Sequence, residues 1–177
     1  MSRSTYLLIV ATGLTAVALS WPAQASSSRD WDRCKDVNNK ANAEQNIAAC
    51  TRILSQKNSR TNRAIAYANR CGIYNTLKRY DRALADCDQA ISLDRKLGFA
   101  YNNRANAYSA KNDNVSALAD YTEAIKLKPR YSLAYNNRGL VYYDMGQYDR
   151  AITDFDAAIR LDHRYAKAYN SRGNAYY

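Results

Sequence analysis

Proline and glycine are scarce, at 2 and 6 residues in a chain of 177. With prolines only at Pro22 and Pro129, the chain has neither the composition of a disordered linker nor the dense turn signals of a β-sandwich. Histidine is scarcer still. His163 stands alone with no second general base beside it, so a catalytic reading has almost no material and no enzyme is expected. The 4 cysteines lack the C-x₂₋₄-C spacing of zinc ligands, and no metal or other cofactor is expected. Acidic residues are outnumbered: 16 Asp and Glu against 26 Lys and Arg give a net charge of +10. Such an excess invites a nucleic-acid reading, but the basic residues are scattered rather than striped, and no nucleic acid is expected as partner.

What is present begins with an address. Arg3 supplies a positive start, residues 6–19 form an uncharged and mostly apolar run, and Ala23-Gln24-Ala25 is a small-residue cleavage site. The run is shorter than the roughly 20 residues a spanning helix needs. Residues 1–25 therefore read as a signal peptide of bacterial type. No cysteine at the cleavage site marks a lipoprotein. No second apolar stretch follows, so no membrane insertion is expected after signal removal. The remainder, 26–177, is expected to be periplasmic or secreted.

That remainder is organised by a period of 34. The strings AYANRCGIY, AYNNRANAY, AYNNRGLVY and AYNSRGNAY begin at Ala66, Ala100, Ala134 and Ala168. They carry three columns: Tyr67, Tyr101, Tyr135 and Tyr169; Arg70, Arg104, Arg138 and Arg172; Tyr74, Tyr108, Tyr142 and Tyr176. A second set repeats behind them, with Ala83, Ala117 and Ala151, then Ala90, Ala124 and Ala158. Within a unit both sets recur at three and four residues, the spacing of one helix face. Short connections at 77–80, 111–114 and 145–148 make the two helices antiparallel neighbours, and Pro129 ends a unit.

Two helices per 34 residues with these columns resemble the tetratricopeptide repeat (TPR) family. Gly139 and Gly173 match the small residue of its first helix, with Ala105 and Cys71 standing in for it. Phe155 matches the aromatic of its second helix, with Tyr121 and Cys87 as variants. One departure is systematic: the Arg column stands where the family usually has Leu. The resemblance implies an all-α fold, an α-solenoid of antiparallel hairpins wound into a right-handed superhelix. Repeats are expected at 64–97, 98–131 and 132–165, with a lone helix at 166–177. A divergent first repeat at 30–60 aligns at an offset of 37, the extra residues falling in the linker 58–63. No polar capping helix follows the last helix, which offers a surface for self-association.

Three sets of residues are candidates for a role. Cys34 and Cys50 are 16 apart, as are Cys71 and Cys87, and a helical hairpin brings such positions level. Disulfides Cys34–Cys50 and Cys71–Cys87 are expected in an exported chain, four buried free thiols being the alternative. Asp86, Asp120 and Asp154 each follow an Arg, namely Arg70, Arg104 and Arg138, by that same separation. They are expected to pair as structural forks, because an unpaired buried guanidinium is costly. For Arg104 the alternative partner is Asp86 of the preceding repeat, and a ligand-binding role for the column stays open. Finally, Asn69, Asn103 and Asn137 form one column and Asn102, Asn136 and Asn170 its neighbour. This row resembles the asparagine ladder by which some TPR arrays hold a peptide backbone, a carboxamide being able to donate and accept together. Surface polar fill is the bland alternative. The expected function is a non-enzymatic scaffold holding an extended protein or peptide segment in the concave groove. The competing reading is an envelope component that binds anionic polymers through Arg95, Lys96, Lys128, Arg130, His163, Arg164 and Lys167 at the inter-repeat turns.

Overall fold

The computed structural model describes residues 28–176; the signal at 1–25 lies outside them. The described chain is α-helical: α1 Ser28–Lys35, α2 Ala43–Ser55, α3 Arg60–Thr76, α4 Tyr80–Leu93, α5 Gly98–Ala110, α6 Asn114–Leu127, α7 Ser132–Asp144, α8 Tyr148–Leu161 and α9 Ala166–Ala175. A single 3-10 turn, Lys40–Asn42, precedes α2. Each helix packs on the next. In addition α3 touches α5, α5 touches α7 and α7 touches α9, while no comparable contact joins α4, α6 and α8. The first helices thus crowd together on the concave side and the second helices fan out, the geometry of an α-solenoid.

The turns inside the hairpins show why the period is kept. Lys78, Asn112 and Gly146, spaced by 34, all take positive φ, at 58°, 61° and 71°. Each follows a first helix and closes it in the same way. Arg79 N–H reaches Tyr74 C=O at 2.8 Å, Asp113 reaches Tyr108 at 2.9 Å, and Gln147 reaches Tyr142 at 2.8 Å. This is the Schellman closure, which satisfies carbonyls the helix would otherwise orphan. Glycine takes the left-handed conformation freely, Asn tolerates it, and Lys78 bears the full steric cost.

Packing follows from the alanine columns. Ala66, Ala100, Ala134 and Ala168 are fully buried, as are Ala83, Ala117, Ala151, Ala90, Ala124 and Ala158. Small residues at these seams let neighbouring backbones approach. The first hairpin departs from the pattern. Residues 36–42 form a longer connection, held by Asn46 Nδ2 on Asp36 C=O at 2.8 Å and Thr76 Oγ1 on Val37 C=O at 3.0 Å. The extra residues at 58–63 are not all linker, as the sequence suggests. Ser59 caps α3 by accepting from Asn62 N–H, so residues 60–63 are an added first turn of that helix. Arg60 uses it to cap α4, donating to Leu93 and Ser92 carbonyls at 2.8 and 3.2 Å.

Candidate partner-binding cleft

The Arg and Asp columns form a ladder along the hairpins. Arg70 Nε and Nη2 donate to the two oxygens of Asp86 at 2.6 and 2.8 Å. Arg104 grips Asp120 at 2.7 and 2.8 Å, and Arg138 grips Asp154 at 2.8 Å for both bonds. The remaining Nη1 reaches back to the preceding second helix: to Thr51 at 2.7 Å, Asp88 at 2.6 Å and Thr122 at 3.1 Å. The alternative partner for Arg104 is therefore corrected. The preceding repeat contributes Asp88, two residues on from Asp86 and so on another side of α4, while Asp86 is held by Arg70. The carboxylates hold all three guanidinium groups above their ordinary pKa. The tyrosine columns flank the same groups, with Tyr67 and Tyr74 centroids 5.5 and 6.0 Å from the Arg70 guanidinium. Each stack adds about 0.5–1 kcal/mol where it is partly exposed. These side chains are engaged with one another.

The cysteines sit one step further along both helices, on the inward face. The sulfurs of Cys34 and Cys50 lie 2.08 Å apart and those of Cys71 and Cys87 2.11 Å apart. All four side chains are fully buried.

The asparagines divide. Asn102 and Asn136 are only 1% and 2% exposed, although Asn102 still borders the cleft described below. They lie between successive first helices, where the next repeat covers them. Asn170, in the same column on α9, is exposed. The other column, Asn69, Asn103 and Asn137, is half-buried. Asn103 Nδ2 donates to Ala68 C=O at 3.1 Å, and Asn137 Nδ2 to Asn106 Oδ1 at 3.1 Å and Asn102 Oδ1 at 3.4 Å. Part of each amide is thus spent on joining repeats.

Between α1, α3 and α5 a concave cleft of about 260 Å³ remains, and Asn69, Asn102, Asn103, Asn106 and Asn75 line it. Its far wall is Phe99, Leu133 and Tyr131, and Lys35 is its one cationic residue. Asn75 and Asn106 escaped the sequence reading. Asn75 shares no column with another Asn, whereas Asn106 recurs as Asn174 with Gly72 and Leu140 breaking the column, and that match together with its place one turn after Asn102 could have flagged it. Asn75 Nδ2 donates to Asn103 C=O at 2.6 Å, while its buried Oδ1 has no hydrogen-bond partner. Asn106 Oδ1 accepts from Tyr121 Oη at 2.6 Å. The cleft thus offers carboxamides, one cation and an apolar wall.

Elsewhere chemistry is thin. His163 is exposed in a turn, and among the described residues no group of His, Cys, Asp and Glu could hold a metal ion. Arg95, Lys96, Lys128, Arg130, Arg164 and Lys167 are also exposed. Among the described residues no helix is long and apolar enough to cross a membrane.

Comparison with known proteins supplies the context. The family model described as "TPR repeat" matches residues 105–146 and 139–177, and that described as "Tetratricopeptide repeat" matches 64–97; together they span more than half of the chain. No curated protein matches it. The chain is similar to a crystal structure of MamA, with 26% identity, a TM-score of 0.65, and coverage of 77% of this chain and 78% of that one. It is similar to the second TPR domain of human RPAP3 in complex with the HSP70 peptide SGPTIEEVD, with 25% identity, a TM-score of 0.63, and coverage of 67% and 99%. It also resembles the second TPR of Spaghetti (RPAP3) bound to the HSP90 peptide SRMEEVD, at 29% identity and a TM-score of 0.54, covering 56% of this chain and 92% of that one.

Proposed function

The chain belongs to the tetratricopeptide repeat family, and we propose that it is a non-enzymatic scaffold whose concave cleft holds an extended segment of another protein. The observation that carries this reading is the unpartnered Asn75 Oδ1 in a cleft lined with carboxamides. A buried acceptor left unsatisfied costs about 1–3 kcal/mol, and a small rotation of the Asn75 amide toward the cleft would let a backbone N–H from an extended strand meet it. Asn69 stands beside it with no side-chain hydrogen bond to another described residue, free to donate and accept together. Peptide binding by the RPAP3 domains supports the class of partner. With Lys35 as its one cation, the cleft suits backbone recognition of an uncharged segment better than capture of an acidic tail. The cysteine pairs fit an oxidising compartment, in keeping with export to the periplasm or beyond.

The test is selection from a displayed library of random peptides on the chain spanning 26–177. Selected peptides should bind at least about tenfold more weakly to an Asn69→Ala/Asn75→Ala variant, as two to three lost contacts of about 0.5–1.5 kcal/mol each require. An Arg95→Ala/Lys96→Ala variant should differ only at low salt. If the rim variant loses binding and the cleft variant keeps it, or if polyphosphate binds with a steep salt dependence in place of any peptide, the anionic-polymer reading replaces this one.

A further inference from the structure

Building on the cleft as the binding site, and depending on that reading, we propose that its occupant is a polyproline II segment with an apolar residue at every third position and a carboxylate three residues outside them. Two rows of side chains run side by side along the first helices. One is apolar: Ile65 on α3, Phe99 on α5 and Leu133 on α7, spaced by the repeat. Phe99 and Leu133 wall the cleft. Ile65 and Phe99 are half-buried and Leu133 is 40% exposed. Phe99 and Leu133 keep this exposure although α7 and α9 follow them, so the row lies on the concave surface and not in a seam. The other row is Asn69, Asn103 and Asn137, one turn further along the same helices and also half-buried.

The carboxamides show what the second row lacks. Asn103 and Asn137 spend Nδ2 on the preceding repeat, on Ala68 C=O and on Asn106 Oδ1. Asn69 Oδ1 and Asn103 Oδ1 accept no hydrogen bond among the described residues, and Asn137 Oδ1 accepts only a 3.5 Å contact from Asn136 Nδ2. Each of these repeats therefore offers one acceptor for a backbone N–H beside one apolar side chain. Successive first helices pack directly on one another, and packed helices lie about 8–10 Å apart. The occupant must present an N–H and an apolar side chain together at about that interval. An α-helix repeats side chains on such a scale, but its N–H groups are bonded internally. A β-strand returns a side chain to the same face about every 6.6 Å. Polyproline II has three residues per turn, rises about 9.3 Å per turn and makes no internal hydrogen bonds. Every third side chain and every third N–H then fall on the two rows in step, and the aromatic wall of Phe99 and Tyr131 suits such a segment. On α9 the apolar row continues as Lys167, which is exposed. A carboxylate one turn beyond the residue on Leu133 meets that charge.

The probe is the fluorescein-labelled peptide EPSLPSLPSLPSE. It sets leucines three apart, leaves their N–H groups free and carries a glutamate three residues outside them at both ends, so it serves in either chain direction. Saturable anisotropy is expected with the chain spanning 26–177. The permuted peptide ESLSLSLSPPPPE, equal in composition but with leucines two apart, should bind at least about tenfold more weakly. Leu133→Ser should weaken the first peptide at least about fivefold. Lys167→Glu should reverse the preference between that peptide and KPSLPSLPSLPSK, and the reversal should fade in about 1 M salt. Both variants stand at exposed positions, and unchanged melting confirms that they fold. Equal or tighter binding by the permuted peptide, or a charge preference that Lys167→Glu leaves unchanged, overturns the proposal. If no period-three peptide binds up to about 1 mM while library-selected peptides still lose affinity in Asn69→Ala/Asn75→Ala, the cleft reading stands and this one falls. If selection yields nothing either, both fall.

Discussion

The two N-terminal hairpins and the two that follow fill one seam in different ways. At the position where first and second helix face each other, α1/α2 and α3/α4 hold Cys34 with Cys50 and Cys71 with Cys87. The hairpin α5/α6 holds Ala105 with Tyr121, and α7/α8 holds Gly139 with Phe155, all buried. Where the first-helix residue is only Ala or Gly, the second-helix residue is an aromatic ring, so the seam stays filled. The two solutions act on different states. A crosslink works chiefly by restricting the unfolded chain, whereas a buried ring contributes about 1.5–3 kcal/mol in the folded one. In a stack whose stability is a sum of units and nearest-neighbour interfaces, one half therefore depends on redox state and the other does not.

The largest effect should come from removing the crosslinks. Each closes a separation of 16 residues, worth about 3 kcal/mol in the chain-entropy account, so reduction of both should cost about 6 kcal/mol. Hydrogen exchange under reductant should rise through α1–α4 well before α7–α9. Uniform loss of protection, or peptide mapping that recovers four free thiols without reductant, breaks the contrast.

In the packed half, Phe155→Ala should cost about 3–5 kcal/mol. Gly139 opposite cannot fill the space, and urea unfolding should give the same loss with or without reductant. The ladder crosses both halves and offers a control. Arg104→Leu should cost about 3 kcal/mol because Asp120 is left without its fork, and Arg104→Leu/Asp120→Leu should recover most of it. A double-mutant cycle that finds no coupling between Arg104 and Asp120 removes the ladder from the account.

Much of this was legible because the repeat aligns like with like. The helices, their order and the 16-residue separation of Arg from Asp follow from columns visible in the text. What the columns hide is which side of a helix the next repeat covers. Asn102 and Asn103 are adjacent in sequence and both recur. Yet a rotation of about 100° per residue buries the first in the seam with the following repeat and leaves the second half-exposed, though both border the cleft. Asn75 is a singular residue and Asn106 recurs only as Asn174, and their place in the cleft depends on the curvature that brings α1, α3 and α5 together. The added turn of α3 was hidden for the opposite reason: Arg60 reads as a linker residue until its guanidinium is seen on the end of α4.

The turns permit a gentler comparison. Lys78 takes a φ of 58° where the corresponding residue of α7/α8 is Gly146. Lys78→Gly should therefore stabilise the chain by about 1 kcal/mol, the left-handed cost it relieves. The mirror change, Gly146→Ala, should destabilise by a similar amount, since open space around Gly146 leaves backbone strain as the sole penalty. Thermal melting of both variants checks the sign, and two changes in the same direction would show that contacts rather than φ decide.

The smallest effect separates the two packed hairpins from each other. Tyr121 and Phe155 occupy one column, but only Tyr121 titrates, and burial raises its hydroxyl above the usual tyrosine value. An unfolded tyrosine ionises near about 10. Below that pH both states are protonated and the contribution of Tyr121 is full. Above it the unfolded state loses a proton that the folded state keeps, so stability falls as pH rises, by about 1.4 kcal/mol per unit until the folded group ionises too. Tyr131 and Tyr165 are raised by burial as well, so the total slope is shared. The difference between wild type and Tyr121→Phe isolates this residue. At pH 8 the variant should be slightly less stable, having lost the bond to Asn106, by about 1 kcal/mol. By pH 11 that deficit should vanish or reverse. Urea unfolding at the two pH values measures both terms, and a deficit that stays constant would mean that Tyr121 ionises in the folded chain as readily as in water.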